Sequence, residues 1–278
     1  MPVIAVINRK GGSGKSTLAT HLAAYCAHAG QAVMLGDVDR QQSAQTWLKL
    51  RHAQAVGGRA ITGWSLDGRN VFRAPSGTTH VILDTPGGLR GLELARVVMS
   101  CDAVLMPVAA SVFDRESAAQ CVAELRTLPR VSGGRCRIAA VGMRIGSKAG
   151  RERLHAWAAS HDVPLIGVLR DSPAYVEWAE AGLTLFDAPA AEHADEHADW
   201  RPLIDWLRPA LGFAVADNVV PLRSVAAARA VPAPAPAAEQ APAPTPVRSD
   251  VSAPAAATAR VRTLLGGLPI PRFLQRGS

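Results

Sequence analysis

"NRKGGSGKST", residues 8–17, follows a short apolar run and precedes a stretch with helical character. A strand ending at Ile7, a glycine loop and a helix starting near Ser16 would aim backbone N–H groups and the positive end of a helix dipole at one point, the arrangement an anion needs. Gly11, Gly12 and Gly14 let the backbone approach phosphate oxygens closely, with Ser13 and Thr17 in the same loop and first turn. Lys15 reaches the β- and γ-phosphates, and the Ser16 hydroxyl can ligate Mg²⁺. The G-x-x-x-x-G-K-[ST] pattern asks for glycine at position 9 and finds Arg9. A second lysine, Lys10, stands ahead of the glycines, and phosphate binding alone gives it no task.

Outward from the loop, "PVIAVI" (2–7), "AVMLGD" (32–37), "HVILD" (80–84), "AVLMPV" (103–108), "RIAAVGM" (137–143) and "VPLIGVL" (163–169) are short, near-continuous apolar runs, as expected of strands covered on both faces. Helical patterns separate most of them: residues 16–29 closed by Gly30, residues 111–128 with Asp114 and Glu116 early, and a helix that Ser172 would cap with Pro173 at its first position. The alternation predicts an α/β fold, a doubly wound and mainly parallel sheet of the P-loop NTPase kind, with ligands beyond the carboxyl ends of the strands. "HVILDTPGG" runs a buried strand into Asp84, where a carboxylate can hold magnesium through a bound water. "VMLGDVDRQQS" puts Asp37 and Asp39 at the end of another strand, and a period of two points both carboxylates the same way. Beside a triphosphate they divide into a magnesium-side group, Asp37, and a group that orients the attacking water, Asp39. For Asp39 the alternative is to cap a helix over residues 41–50.

Composition shifts near residue 212. "VPAPAPAAEQAPAPTPV" (231–247) cannot pack a core, so the folded domain is expected over 1–211, a disordered Pro/Ala-rich linker over 212–254 and a short basic-apolar motif over 255–278. That last motif interleaves Val261, Leu264, Leu265, Leu268, Ile270, Phe273 and Leu274 with Arg260, Arg262, Arg272 and Arg276, a pattern suited to docking on a partner or on itself, with inert disorder and membrane contact as the alternatives. Of the net charge of +7, residues 1–211 contribute 23 Lys/Arg against 20 Asp/Glu, and the remainder 7 against 3. Arg126, Arg130, Arg135, Arg137, Arg144, Lys148, Arg151 and Arg153 face only Glu124 and Glu152 in their stretch. Arg144, Lys148, Arg151 and Arg153 gather at one strand-to-helix junction, which reads either as a solvated face or as the electrostatic footprint of a nonspecific DNA binder. Cys26, Cys101, Cys121 and Cys136 are scattered without a C-x-x-C pair, as small buried hydrophobes in a reducing cytosol would be. Residues 1–7 are too short for a signal-peptide apolar region, and no run approaches a membrane span of about 18 apolar residues, so a soluble, cytoplasmic chain is expected.

"KGGSGKST", "DVDRQQS" and "VILDTPGG", in this order and context, resemble the deviant Walker A, Walker A′ and Walker B motifs of the ParA/MinD family of cargo-positioning ATPases, over roughly residues 1–208. The resemblance implies a role for the extra lysine. Lys10 would cross the interface of an ATP-sandwiched homodimer and contact the phosphates of the other subunit, as an arginine finger does elsewhere. It further implies ATP and Mg²⁺ as ligands, weak hydrolysis stimulated by a cargo-linked partner protein, nonspecific DNA as the working surface and a nucleoid-associated location. The family's usual proline after the second aspartate is Arg40 here, and with no helix-turn-helix ahead of the loop no operator-reading module is expected.

Other readings remain. A MinD-like protein would use the membrane as its surface through the tail, and a dethiobiotin-synthetase-like ligase would use a similar loop to activate a small carboxylate. "HADEH" (193–197) matches the H-x-x-E-H zinc arrangement, but it lies within the short duplication "EHADEHAD" and no folded segment follows to supply a third ligand, so a solvated helix face is expected. A nitrogenase-iron-protein reading would need a cysteine pair at the dimer axis, whereas Cys101 and Cys121 flank ordinary helical patterns.

Overall fold

The apolar runs become strands that alternate strictly between two covered faces. In the computed structural model, which describes residues 1–54, 56–65 and 74–213, these strands are β1 (Val3–Val6), β2 (Val33–Asp37), β3 (Ile61–Ser65), β4 (His80–Asp84), β5 (Ala103–Val108), β6 (Arg137–Gly142) and β7 (Leu165–Val168). The helices are α1 (Lys15–His28), α2 (Ser43–His52), α3 (Gly91–Val98), α4 (Val112–Thr127), α5 (Pro129–Ser132), α6 (Lys148–Ser160), α7 (Ala174–Glu180) and α8 (Ala194–Leu211), with a 3₁₀ turn at Leu185–Asp187. All strands pair in parallel, in the order β3-β2-β4-β1-β5-β6-β7. The anticipated linker and terminal motif lie, from residue 214 on, outside the described residues.

Ile4, Val6, Leu35 and Ile82 face α1, α2, α7 and α8, where they meet Leu18, Leu22, Trp47, Trp200 and Leu203. Val3, Ala5, Met34 and Leu83 face the other way, onto α3, α4 and α6 through Leu94, Val122 and Leu154. Full burial of each such side chain stabilises by roughly 1.5–3 kcal/mol. Because α1 leaves β1 toward β2 while α3 crosses from β4 over β1 to β5, the chain parts in opposite directions at the carboxyl end of β1. A crevice opens there.

Local chemistry sets the element ends. Ser111 caps α4 by accepting from the Asp114 N–H at 3.2 Å. Ser172 does not cap α7: Pro173 stands at that position, α7 begins at Ala174, and the Ser172 hydroxyl instead donates to Glu196 Oε1 at 3.0 Å. Asp187 ties elements together, accepting from Arg51 at 2.7 and 2.9 Å and facing His28 Nε2 at 2.8 Å. The strand β3 has no counterpart among the apolar runs of the sequence. It is an edge strand paired only with β2, and a Cβ on its Gly63 would come within 2.8 Å of Gln45 and Leu48, so the glycine lets α2 lie close. No described helix is long and apolar enough to cross a membrane.

Candidate functional site

The loop between β1 and α1 is held at both ends. Asn8, fully buried, donates from Nδ2 to the Pro107 carbonyl at 2.6 Å and accepts the Lys10 N–H on Oδ1 at 3.1 Å. Gly14 adopts φ 96°, a conformation that favours glycine, and the Met143 side chain packs where a Cβ would stand, its Cε 2.7 Å from that point. Lys15, only 7% exposed, lies along the loop and donates from Nζ to the Lys10 carbonyl at 3.0 Å. Burial pulls its pKa down, while the charges of Asp84 and Asp39 act to keep it protonated. Around it opens a cavity of about 580 Å³ lined by residues 11–17, Asp39, Gln41, Ser43, Pro86, Gly87 and Arg144.

Sheet register places the carboxylates. Asp84, at the end of β4, stands opposite both Val6 of β1 and Asp37 of β2. It is 1% exposed, and neither of its oxygens makes a hydrogen bond of normal geometry. Burial pushes its pKa up to about 7, against the lowering influence of the nearby Ser16 hydroxyl and of Lys15. A buried carboxylate with unspent lone pairs beside a hydroxyl fits a hard divalent cation, and Asp84 and Ser16 are the residues that would hold Mg²⁺.

Asp37 is placed differently. Its Oδ1 accepts the Asp39 N–H at 3.0 Å and its Oδ2 the Gln45 N–H at 3.1 Å, so the buried carboxylate fastens the start of α2. The strand β2 ends at Asp37, and the alternation that would aim both acids alike stops there. Asp39, half-buried, lines the cavity and accepts the Gln41 N–H on Oδ1 at 3.0 Å. The helix-capping role weighed for Asp39 belongs to Asp37.

Lys10, with its side chain 39% exposed, forms an ion pair with Asp114 of its own chain at 2.8 Å, and Ser111 donates to the same carboxylate oxygen. These contacts hold the Asp114 pKa below the ordinary carboxylate value even though burial acts in the opposite direction. Arg9, the residue in place of the expected glycine, reaches Glu124 and Gln120 on α4, and Glu124 also accepts the Gly91 N–H at 2.6 Å. The Gly88 N–H in turn donates to the Arg9 carbonyl at 2.6 Å. Through these bonds the loop after β1 and the loop after β4 are joined. The departure at position 9 is the visible signal of this link in the sequence; its partners are not visible there.

The basic stretch does not form one patch. Arg126 pairs with Asp162, Arg130 with Asp102, and Arg137 lies 4.1 Å from the centre of the Trp206 ring. Lys148, Arg151 and Arg153 stay exposed on α6. Arg144 turns to the cavity instead, donating to the Gly12 carbonyl at 2.8 Å. At residues 193–197 the expected solvated face holds for Ala194 and Asp195, which are exposed, and is corrected for the histidines: His193, just ahead of α8, packs edge-on against Trp178, and His197 against Phe186. Among the described residues no cluster of His, Cys, Asp or Glu could hold a metal by itself. All four cysteines are free and buried, as anticipated.

The family model for the CobQ/CobB/MinD/ParA nucleotide binding domain matches residues 4–185. The maintenance of carboxysome distribution protein A of Gloeobacter kilaueensis is 36% identical over 118 residues, covering 40% of this chain and 51% of that protein. The chromosome-partitioning ATPase Soj of Thermus thermophilus is 30% identical over 151 residues, covering 44% and 60%. The chain thus spans about half the length of the curated relatives it matches. Among solved structures, an ATP complex of Cyanothece McdA superimposes with a TM-score of 0.58 at 16% identity, covering 78% of this chain and 99% of that one, a likeness of fold.

Proposed function

The chain belongs to the CobQ/CobB/MinD/ParA nucleotide-binding family, and on that premise we propose that it is a weak ATPase that dimerises on ATP, binds DNA without sequence preference and positions or partitions a cargo. The observation that carries the reading is Asp84, a buried acid on the rung beside the glycine loop, next to buried Lys15 and with the Ser16 hydroxyl as its neighbour, neither oxygen making a hydrogen bond of normal geometry. Such a site leaves polar groups unspent unless a cation and a phosphate take them. The names of the relatives, carboxysome distribution and chromosome partitioning, support the positioning class.

In this reading the amides of residues 11–16 and the Lys15 ammonium hold the β- and γ-phosphates, and Ser16 and Asp84 hold the cation. Magnesium, when bound, offsets the negative charge that the transferring phosphoryl group carries. Asp39, at the cavity wall, orients the attacking water. Lys10 completes the second subunit's site once it leaves the Asp114 carboxylate, which is buried and stays held by the Ser111 hydroxyl. The exposed Lys148, Arg151 and Arg153 supply the DNA surface. In the same reading a cargo-linked protein accelerates hydrolysis and releases the dimer, and the chain works in the cytoplasm, on the nucleoid.

The test is nucleotide binding and size-exclusion chromatography with ATP and Mg²⁺. Lys15→Ala is expected to abolish nucleotide binding, whereas Lys10→Ala keeps it and loses the ATP-dependent dimer. Unimpaired binding by Lys15→Ala would overturn the site; an unchanged dimer in Lys10→Ala would overturn the trans role of Lys10.

A further inference from the structure

Sequence spacing groups Arg144 with Lys148, Arg151 and Arg153, but the fold separates them. Arg144 follows β6, the strand beside β5, at the same end of the sheet as the glycine loop. Its Nη2 donates to the Gly12 carbonyl at 2.8 Å, and its side chain lines the cavity with Lys15 and Asp39. The neighbouring Met143 fills the space a Cβ on Gly14 would occupy, so this segment is wedged against the loop. Arg144 has φ 55°, a left-handed conformation uncommon outside glycine. Among the described residues it forms no salt bridge; the acid that feels its charge, Asp114, is already paired with Lys10.

A guanidinium has five N–H donors in a planar fork, and a single bond to a carbonyl leaves most of them free for the oxygens of a phosphate. Gly12 lies on the part of the loop that cradles the β- and γ-phosphates, so the fork stands at the phosphate end of the cavity. Resting on the reading of this cavity as a nucleotide site, we infer that Arg144 is a nucleotide-contact residue acting in cis: it binds γ-phosphate oxygens while tied to Gly12, and so favours ATP over ADP. This role is separate from that of Lys10, which acts on the other subunit.

The test measures dissociation constants of AMP-PNP and of ADP, each with Mg²⁺, for the full chain and for Arg144→Ala, Arg144→Gln and Arg144→Lys, with thermal melting as the check on folding. Loss of a charge-assisted bidentate contact should weaken AMP-PNP by about tenfold in the alanine and glutamine variants and ADP by less than about twofold. Arg144→Lys, which keeps the charge but not the fork, should fall between, and it decides the matter if the truncations fail to fold. Equal losses for the two nucleotides, or an unchanged affinity for AMP-PNP, would overturn the inference while leaving the nucleotide site intact. If the wild-type chain bound neither nucleotide, the functional reading would fall and the role of Arg144 with it.

Discussion

Asp37 and Asp39 stand two positions apart and have different partners. Asp37 gives both oxygens to backbone amides, of Asp39 and of Gln45, so Asp37→Ala should cost about 1–2 kcal/mol of stability by uncapping α2, read as a lowered urea midpoint. Asp39 lines the cavity and gives one oxygen to a local turn. Asp39→Asn can keep that turn, so the protein should fold, bind ATP and dimerise while hydrolysis falls about a hundredfold, the scale of a lost water-orienting carboxylate. Single-turnover hydrolysis compared with wild type decides it; an unchanged rate would remove Asp39 from the reaction. The sequence marks Lys15, Ser16 and Asp84 because each belongs to a contiguous pattern of strand, loop and residue type. It does not reveal that Asp37 caps α2, that Lys10 pairs with Asp114 or that Arg144 reaches Gly12. The first turns on where β2 ends and α2 begins, eight residues on; the other two depend on which distant segments the sheet order brings together, and a single sequence carries no register between strands far apart in the chain.

Helix α1 carries a buried histidine. His21 donates from Nδ1 to the Thr17 carbonyl at 2.8 Å and stacks on Trp200, with ring centres 5.4 Å apart, among Tyr175, Trp178 and Phe186. Burial pushes its pKa down to about 4. The unfolded chain takes up this proton near pH 6.5 and the folded chain only near 4, so across that window the unfolded state binds more protons and stability falls as pH falls. Asp84, raised to about 7, has the opposite sign over much of the same range. The contribution of His21 is therefore isolated by difference: between pH 7 and pH 5 wild type should lose about 2 kcal/mol relative to His21→Leu in urea unfolding. Parallel pH profiles for the two proteins would show instead that the ring titrates alike in the folded and unfolded chain. The same neighbourhood shows why some elements are legible and others not. The six foreseen strands are mostly buried on both faces and read as near-continuous apolar runs. In β3, by contrast, Ile61 is buried while Thr62 and Gly63 are exposed, and an edge strand with so short a pattern looks like loop. From sequence, the charged neighbours of the histidines in residues 193–197 suggest solvent for those rings, because the aromatic residues that receive them, Trp178 and Phe186, come from other elements.

At the scale of the molecule, an all-parallel sheet sends every strand-to-helix loop to one pole. The nucleotide cavity, the start of α4 with Asp114 and the start of α6 with Lys148 all lie at that pole. At the other, His80, the first residue of β4, meets the carbonyl of Leu211 at the end of α8 at 2.8 Å. The DNA surface proposed on α6 would therefore share the end of the fold that carries the nucleotide cavity. Reversing charge at Arg151 and Arg153 together should weaken unrelated duplexes alike and flatten the dependence of log affinity on log salt by up to about 2, since each lost phosphate contact removes about 0.9. Fluorescence anisotropy with ATP at several salt concentrations measures this; a loss confined to one sequence would contradict it. The burial of the cysteines has a practical corollary. The chain has four cysteines, Cys26 on one side of the sheet and Cys101, Cys121 and Cys136 on the other, all buried, with burial pushing the Cys26 thiol up to about 12 and those of Cys121 and Cys136 to about 11. The folded protein therefore offers thiol reagents almost no thiolate, and alkylation becomes a reporter of opening. Mass spectrometry of a timed alkylation would show which layer of helices lifts first: Cys26 marks the α1 side, and the other three mark the side of α3, α4 and α6.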